Sequence, residues 1–124
     1  MNPKQDVYNM IYDICGQLGE VKESWPKGEN IFPVIIMGST QLVPSPNKSI
    51  FFGTVFQRID IFAKANQKGT LNQLMVDIDL AIRQRTQSDN YSIRVKNSDM
   101  RDLLDSSTNM DLNHGIMNIE IEIF

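Results

Sequence analysis

The chain has 124 residues and a formal net charge of -3, and 41% of its residues are hydrophobic and 22% charged. This length predicts one domain over residues 1–124, and the ordinary composition argues against a disordered or collagen-like chain. The charge balance argues against sequence-specific binding to duplex DNA. A single cysteine, Cys15, excludes an intramolecular disulfide. We expect no export and no membrane span, because the sequence has neither a signal-peptide pattern nor ~20 consecutive apolar residues.

The first predicted element is an amphipathic helix that begins at Pro3. Apolar residues recur at helical spacing at four positions: Val7, Ile11, Ile14 and Leu18. We expect Asn2 to cap this helix and Gly19 to end it. Residues 20–30 contain proline and glycine and are interpreted as a connection.

Two strands separated by a long loop are predicted next. Residues 31–37 form a short apolar run, and Pro33 requires that this strand lie at a sheet edge or begin after the proline. Residues 38–49 are rich in turn-forming residues and predict an exposed hairpin loop. Residues 50–64 give the longest strand signal. One of its faces is aliphatic, and the other carries three aromatic and two charged residues: Phe52, Phe56, Phe62, Arg58 and Asp60.

The second half predicts a helix followed by two more strands. Thr70 and Gln73 have capping-box spacing, and an i,i+4 pair of Asp79 and Arg83 lies on the polar side of the helix. The stripe that faces the core is apolar: Leu71, Leu74, Met75, Ile78 and Ile82. Alternation predicts strands at 91–96 and 117–123, with a polar, irregular connection at 99–113 that allows a helical turn at 100–104. The predicted class is α+β: a mainly antiparallel β-sheet packed against two α-helices, with a long hairpin loop.

Few residues are candidates for catalysis or metal binding. His114 is the only histidine, and a metal site with three nearby carboxylates is conceivable: Asp102, Asp105 and Asp111. Their spacing matches neither an EF-hand nor a zinc pattern, and no nucleophile motif accompanies the histidine. We therefore expect no enzyme activity, metal or cofactor. A small hydrolase using His114 and aspartates remains an alternative, as does an adaptor that binds a peptide at the edge containing Pro33.

The aromatic face of the longest strand needs a covering. Its mixture of phenylalanine with Arg58 and Asp60 is too polar for a sealed core and too aromatic for idle surface. Either a second helix or another subunit must lie against it. On the second interpretation five residues form a subunit interface: Phe52, Phe56, Arg58, Asp60 and Phe62.

Three segments carry a family resemblance that spans nearly the whole chain, in this order: FPVIIMGSTQLVPSPNKS, GTVFQRIDIFAKANQKGTLNQLMVDI and DSSTNMDLNHGIMNIEIEIF. They resemble small tail-component proteins of long, non-contractile-tailed phages of Gram-positive bacteria, a group similar to the tail terminators. The resemblance implies an α+β virion protein that forms a hexameric ring at the head-proximal end of the tail. Such a ring ends polymerisation of the tube and offers a surface to the head. A head-tail joining protein of the phage neck is the alternative.

The implied partners are further copies of the chain, the major tail tube protein and a head-completion or connector protein. Genome DNA would pass through the ring. The predicted hairpin loop then becomes a docking element for the tube or the neck, with six candidate residues: Gln41, Leu42, Val43, Pro44, Asn47 and Lys48. Five acidic residues either line the passage for DNA or are ordinary solvated charges: Asp102, Asp105, Asp111, Glu120 and Glu122.

Overall fold

A computed structural model describes residues 2–25, 31–46, 52–106 and 110–124. Five strands form one sheet in the order β1-β2-β3-β5-β4, and all neighbouring strands are antiparallel except β1 and β2. With two helices, this confirms the predicted α+β class. No helix in the described ranges is long and apolar enough to cross a membrane. The elements are α1 (Pro3–Leu18), β1 (Glu20–Lys22), β2 (Val34–Pro44), β3 (Gly53–Lys64), α2 (Lys68–Arg83), β4 (Ile93–Asp105) and β5 (Leu112–Ile123).

Helix α1 has the predicted ends. The Asn2 side chain accepts hydrogen bonds from the backbone N–H groups of Lys4 and Gln5, at 2.9 and 3.4 Å. These bonds satisfy two of the amides that a helix N-terminus leaves without partners. At the other end, the N–H of Gly19 donates to the carbonyl oxygen of Cys15. The cap at Asn2 and the stop at Gly19 are both confirmed.

Both helices pack on the same face of the sheet, which we call the covered face. Inward-facing side chains of β3 and β5 meet the apolar stripes of α1 and α2 in one core cluster. Gly115 on β5 permits close packing there, because a Cβ at this position would lie 2.8 Å from Met75 Sδ and 3.0 Å from Leu71 Cδ1. We call the opposite side the open face; Phe56, Arg58 and Asp60 lie on it, as the alternation along β3 predicts.

Two predicted connections near the first strands are partly wrong. Glu20–Lys22 is not a connection but a short strand, parallel to the start of β2. β2 begins at Val34, immediately after Pro33, as that proline requires. It then continues through Pro44, so the predicted loop is wrong over 38–44. Backbone pairing with β3 outweighs the turn propensity of these residues. Asn47 and Lys48 of the predicted loop lie outside the described residues, as do residues 50–51.

Two predictions in the second half are also wrong. Residues 99–105 are not irregular: they complete β4, which pairs with β5 as far as Asp105 and Leu112. Helix α2 begins at Lys68, so Thr70 does not cap it, and Gln73 donates to Asp77 instead. The i,i+4 ion pair of Asp79 with Arg83 is confirmed, at 2.9 Å.

A buried carboxylate ties the first turn of α1 to the segment before β4. Asp6 is only 4% exposed and accepts hydrogen bonds from the hydroxyl of Ser88 and from the backbone and side-chain N–H groups of Asn90. Burial by itself raises the pKa of the Asp6 carboxyl, but these hydrogen bonds outweigh burial and hold the pKa below its ordinary value. The folded state therefore favours the charged form.

Replacing this carboxylate tests its contribution to stability. We expect Asp6→Asn to lower the free energy of unfolding by about 1.5–3 kcal/mol at about pH 7, because an amide offers one acceptor to three donors. Because the folded pKa is lowered, the wild-type advantage is present above the unfolded pKa of about 3.9 and is lost as the pH falls through the folded pKa. Urea unfolding at about pH 7 and about pH 3 measures this. The exposed Asp13→Asn is the matched control on the same helix, and a pH-independent difference would contradict the assignment.

Candidate functional site

The candidate site is the open face of the sheet, which the helices leave uncovered. Two of the predicted interface residues are strongly exposed there: Phe52 at 47% and Phe56 at 38%. Phe52 immediately precedes β3, and its ring lies 5.9 Å from that of Tyr91. Val43, at the end of β2, is 44% exposed and pairs with Thr54 of β3. This corner of the open face is therefore an exposed apolar surface, which we call the Phe52 corner.

The other three predicted interface residues belong to a polar and aromatic network. The Arg58 guanidinium donates to both carboxylate oxygens of Asp60, with Nη2 at 2.9 Å from Oδ1 and Nε at 3.1 Å from Oδ2. Hydrogen bonding to Asp60 and its negative charge raise the pKa of Arg58 above its usual value. His114 Nε2 lies 2.7 Å from Asp60 Oδ1. Asp60 thus links β3 to β5.

An aromatic stack covers the end of this network. The His114 ring lies on Phe62, with 4.2 Å between ring centroids and 16° between planes. Trp25 meets Phe62 edge-on at 4.7 Å, and its ring is 6.5 Å from that of Phe32. Edge-to-face and offset stacking are favourable arrangements of aromatic rings. The segment before β2 therefore shields one end of the open face, opposite the Phe52 corner.

A bulge in β2 accounts for the glycine at position 38 and for the burial of Gln57, the one polar residue on the covered face of β3. The register between β2 and β3 shifts between Met37 and Thr40. Gln57 fills the irregularity: its side chain donates to the carbonyl oxygen of Gly38 at 3.3 Å and accepts from Thr40 Oγ1 at 2.6 Å. A Cβ on Gly38 would lie 3.0 Å from Arg58 Cγ and 3.1 Å from Asp60 Oδ2. The absence of a side chain at Gly38 thus leaves room for the Arg58 side chain to reach Asp60.

Acidic side chains on and beside the open face are paired with cations. Arg94 contacts Glu122 at 2.5 Å, and Lys96 contacts Glu120 at 3.6 Å. Asp102 lies toward the helix layer and pairs with Lys68 at 3.6 Å. Three of the five acidic residues considered for a DNA passage are therefore engaged by positive charges, which favours their interpretation as ordinary surface charges.

The structure pairs His114 with a carboxylate other than the three considered for a metal site. The partner of His114 is Asp60, 54 residues away in sequence, and not the neighbouring Asp102, Asp105 or Asp111. Within the described ranges, no group of three or more His, Cys, Asp or Glu side chains is placed to hold a metal ion. Sequence inspection could not find the Asp60 contact, because only the β3–β5 register brings these residues together.

Four of the predicted docking residues, Gln41, Leu42, Val43 and Pro44, form the end of β2, whereas Asn47 and Lys48 lie outside the described residues. Gln41 pairs with Phe56, so it and the exposed Val43 are on the open face. Leu42 points the other way and packs against the core cluster. Pro44 ends β2 and pairs with Gly53. Part of the predicted docking element is therefore a strand end beside the predicted interface.

Comparison with known proteins adds information about the fold. No protein-family model matches the chain, and no curated protein matches its sequence. A chain in a solved virion of a native gene transfer agent (GTA) particle is similar in structure, with a TM-score of 0.55 and 11% sequence identity. The match covers 95% of this chain and 90% of that one. At this identity, the likeness shows a shared fold.

The network predicts a measurable role for Asp60 in stability. We expect Asp60→Asn to lower the free energy of unfolding by about 1–3 kcal/mol, because the amide leaves the Arg58 and His114 donors poorly matched. Urea unfolding followed by the fluorescence of Trp25, the one tryptophan of the chain, measures the loss and reports on the aromatic stack. Asp99→Asn on the same face is the control, since Asp99 is exposed and accepts one side-chain bond, from Asn118 at 3.2 Å. Equal effects of the two variants would contradict this role.

Proposed function

We propose that this chain is a structural virion protein that caps the head-proximal end of a long, non-contractile phage tail tube. It acts as a hexameric ring that ends tube polymerisation and offers the surface to which the head is joined. The observation that carries this proposal is the shared fold, over 95% of the chain, with a protein of a gene transfer agent virion. The sequence resemblance to phage tail components supports the same class of function.

The open face is the proposed subunit interface. Phe52 and Phe56 supply exposed aromatic area of the kind that dominates binding energy at protein interfaces. Arg58, Asp60 and Phe62 act differently, because their bonds and stacking are already made within the subunit. These three residues hold the sheet surface in shape, so little side-chain freedom is lost when a neighbour packs against it.

The end of β2 is the proposed docking element for the tube or the neck. Gln41 and Val43 present side chains at the Phe52 corner, Pro44 ends the strand, and Asn47 and Lys48 follow in sequence. The proposed partners at this end are the major tail tube protein and a head-completion or connector protein. Genome DNA passes through the ring without sequence-specific contacts, and the protein resides in the virion.

Deletion of the gene tests the capping function. Loss of a tail terminator predicts tubes that are longer than wild type and heterogeneous in length, because nothing stops polymerisation. Electron microscopy of the particles measures tube length directly. Normal tails accompanied by separate heads would contradict capping and identify a head-tail joining protein instead. Complementation with the intact gene is the control.

Charged substitutions at the Phe52 corner test the interface. We expect Phe52→Asp or Phe56→Asp to weaken subunit association by about 2 kcal/mol, or roughly 30-fold, as at an interface hot spot. Both side chains are exposed, so the variants should still fold. Incorporation into particles, measured by quantitative blotting, reports on assembly, and urea unfolding reports on the fold. Leu80→Asp on α2, 52% exposed on the helix layer, is the matched control. Unchanged incorporation of both phenylalanine variants would exclude the Phe52 corner as the contact.

A further inference from the structure

The sheet has a free backbone edge on each side. β4 is the last strand of the sheet and pairs only with β5, so its other edge meets no described strand. At the opposite side, β1 covers β2 only from Val34 to Ile36, and no described strand covers the outer edge of β2 from Thr40 to Pro44. Unpaired strand edges are templates for pairing with another chain. These two edges are therefore candidates for a contact between copies.

A hydrogen bond at the start of β4 shows which of its backbone groups point outward. The N–H of Phe124 donates to the carbonyl oxygen of Ser92, so this pair is hydrogen-bonded. Bonded and non-bonded pairs alternate along antiparallel strands. The partners of the odd-numbered residues 113–119 of β5 therefore direct their backbone groups away from β5: Ser98, Met100, Asp102 and Leu104. Their side chains lie on the covered side, where Asp102 pairs with Lys68 of α2.

The free edge of β2 has the same arrangement. The N–H of Ser45 donates to the carbonyl oxygen of Phe52, so this pair is hydrogen-bonded. By alternation, Thr40, Leu42 and Pro44 direct their backbone groups away from β3. Their side chains lie on the covered side, where Leu42 packs against the core cluster. The sheet of one copy can therefore continue into that of the next with the covered faces on the same side.

Strand directions are compatible with such a continuation. β2 is antiparallel to β3, β3 to β5 and β5 to β4, so β2 and β4 run in opposite directions. Rotation about an axis along the strands preserves their directions, so β4 of one copy would be antiparallel to β2 of the next. Closed sheets tilt their strands by about 35–45°. Across four strands about 4.8 Å apart, this tilt shifts the next copy by roughly four to six residues.

A concave surface beside the free edge of β2 can receive a side chain; we call it the α1–β2 groove. It has a volume of about 340 Å³ and is lined by Lys4, Gln5, Tyr8, Glu23 and Thr40. Positions two residues apart on a helix point about 200° apart. Lys4 and Tyr8 therefore lie on the other side of α1 from Asp6, which is bonded to the segment before β4. The groove thus faces away from β4 of the same subunit.

β4 ends in two exposed leucines, one on each face. Leu103 is 40% exposed on the open side, and Leu104 is 60% exposed on the covered side. Within one subunit, Thr40 and Ser98 lie in the same row of paired residues across the sheet. A shift of six residues therefore places Leu104 beside Thr40 of the next copy. A shift of four would instead bring Asp105 against the end of β1, so six residues is the compatible value.

We propose that the end of β4 pairs antiparallel with the free edge of β2 in the next copy, with Leu104 opposite Thr40. This contact, which we call the seam, rests on the proposed ring function and adds backbone pairing to it. On the covered side, Leu104 enters the α1–β2 groove. On the open side, Leu103 lies beside Gln41, the β2 partner of Phe56, so the open face continues into the next copy.

A disulfide across the seam tests the contact. Gln41 and Leu103 would form a non-hydrogen-bonded pair, whose Cα atoms lie about 4.5 Å apart and suit a disulfide. We expect the double variant Gln41→Cys/Leu103→Cys, treated with a mild oxidant, to give a ladder that ends at the ring size. Within one subunit, three strand spacings of about 4.8 Å separate the two positions, so the bond cannot form internally. The native Cys15 is fully buried, and burial raises the pKa of its thiol to about 12.

A second cysteine pair is the matched control. Gln41→Cys with Asp99→Cys uses an exposed position on the same face of β4, about 13 Å along the strand from Leu103. This pair and each single variant should give no ladder, because their cysteines do not meet. An equal ladder from any of them overturns the contact.

The outcomes separate the contact from the function. No ladder from the double variant in both the concentrated protein and purified particles overturns the contact. Particles that contain the protein at the tail end but lack the crosslink refute the contact alone. A ladder from purified protein that is absent from the particles supports the contact and refutes the proposed function.

Amide hydrogen exchange of the wild-type chain supplies a second measurement. In the free subunit, the N–H groups of Met100, Asp102 and Leu104 point away from β5, whereas those of Arg101 and Leu103 bond to it. We expect ring formation to slow exchange of the outward N–H groups about tenfold more than that of their neighbours. Mass spectrometry with fragmentation at single-residue resolution measures this. Slowing that does not alternate along β4, or no slowing in assembled rings, contradicts the backbone pairing.

Discussion

The structure depends on one geometric constraint: two helices can cover only one face of a five-stranded sheet. Strands lie about 4.8 Å apart, so the sheet is about 20 Å wide, which matches two helices of about 10 Å placed side by side. Both helices contribute to a single core cluster on that face. The second face must therefore be stabilised by its own side chains or by contact with another molecule.

The two ends of the open face differ in how their side chains are stabilised. At one end, the Asp60 carboxylate is paired with Arg58 and His114 of the same subunit, and Trp25 packs on Phe62 beside them. At the Phe52 corner, Phe52 and Phe56 remain exposed, and among the described residues no comparable network of hydrogen bonds encloses them. An internally organised surface beside an exposed apolar one is suited to rigid association, because binding then orders few side chains. In the proposed ring, this arrangement would let each copy pack against the next without reordering its surface.

Elements with a regular spacing of apolar residues could be predicted from the sequence. Elements that become strands only by pairing with a neighbouring strand could not. α1 and β3 follow regular apolar spacing, and the residues of their apolar stripes are buried as that spacing predicts, except Leu18 at the end of α1, which is 40% exposed. β1 and residues 99–105 of β4 belong to the two edge strands, which face solvent on more sides and are therefore largely polar. Their sequences give no strand pattern, and they are strands because β1 pairs with β2 and β4 pairs with β5. For the site, alternation along β3 predicted the exposed aromatic face. The link from Asp60 to His114 depends on register between distant strands, which composition does not encode.

The β2 bulge also limits which substitutions the open face can accommodate. Gln57 closes the bulge, Gly38 makes room beside it, and Arg58 crosses that space to reach Asp60 and, through it, His114. A side chain at position 38 would crowd the guanidinium, and loss of the glutamine amide would leave buried backbone without a partner. These five residues therefore form one structural unit, in which each side chain occupies space or makes a bond that another one needs. A substitution at any one of them changes the surroundings of the others, so this part of the open face accommodates change only when several positions change together.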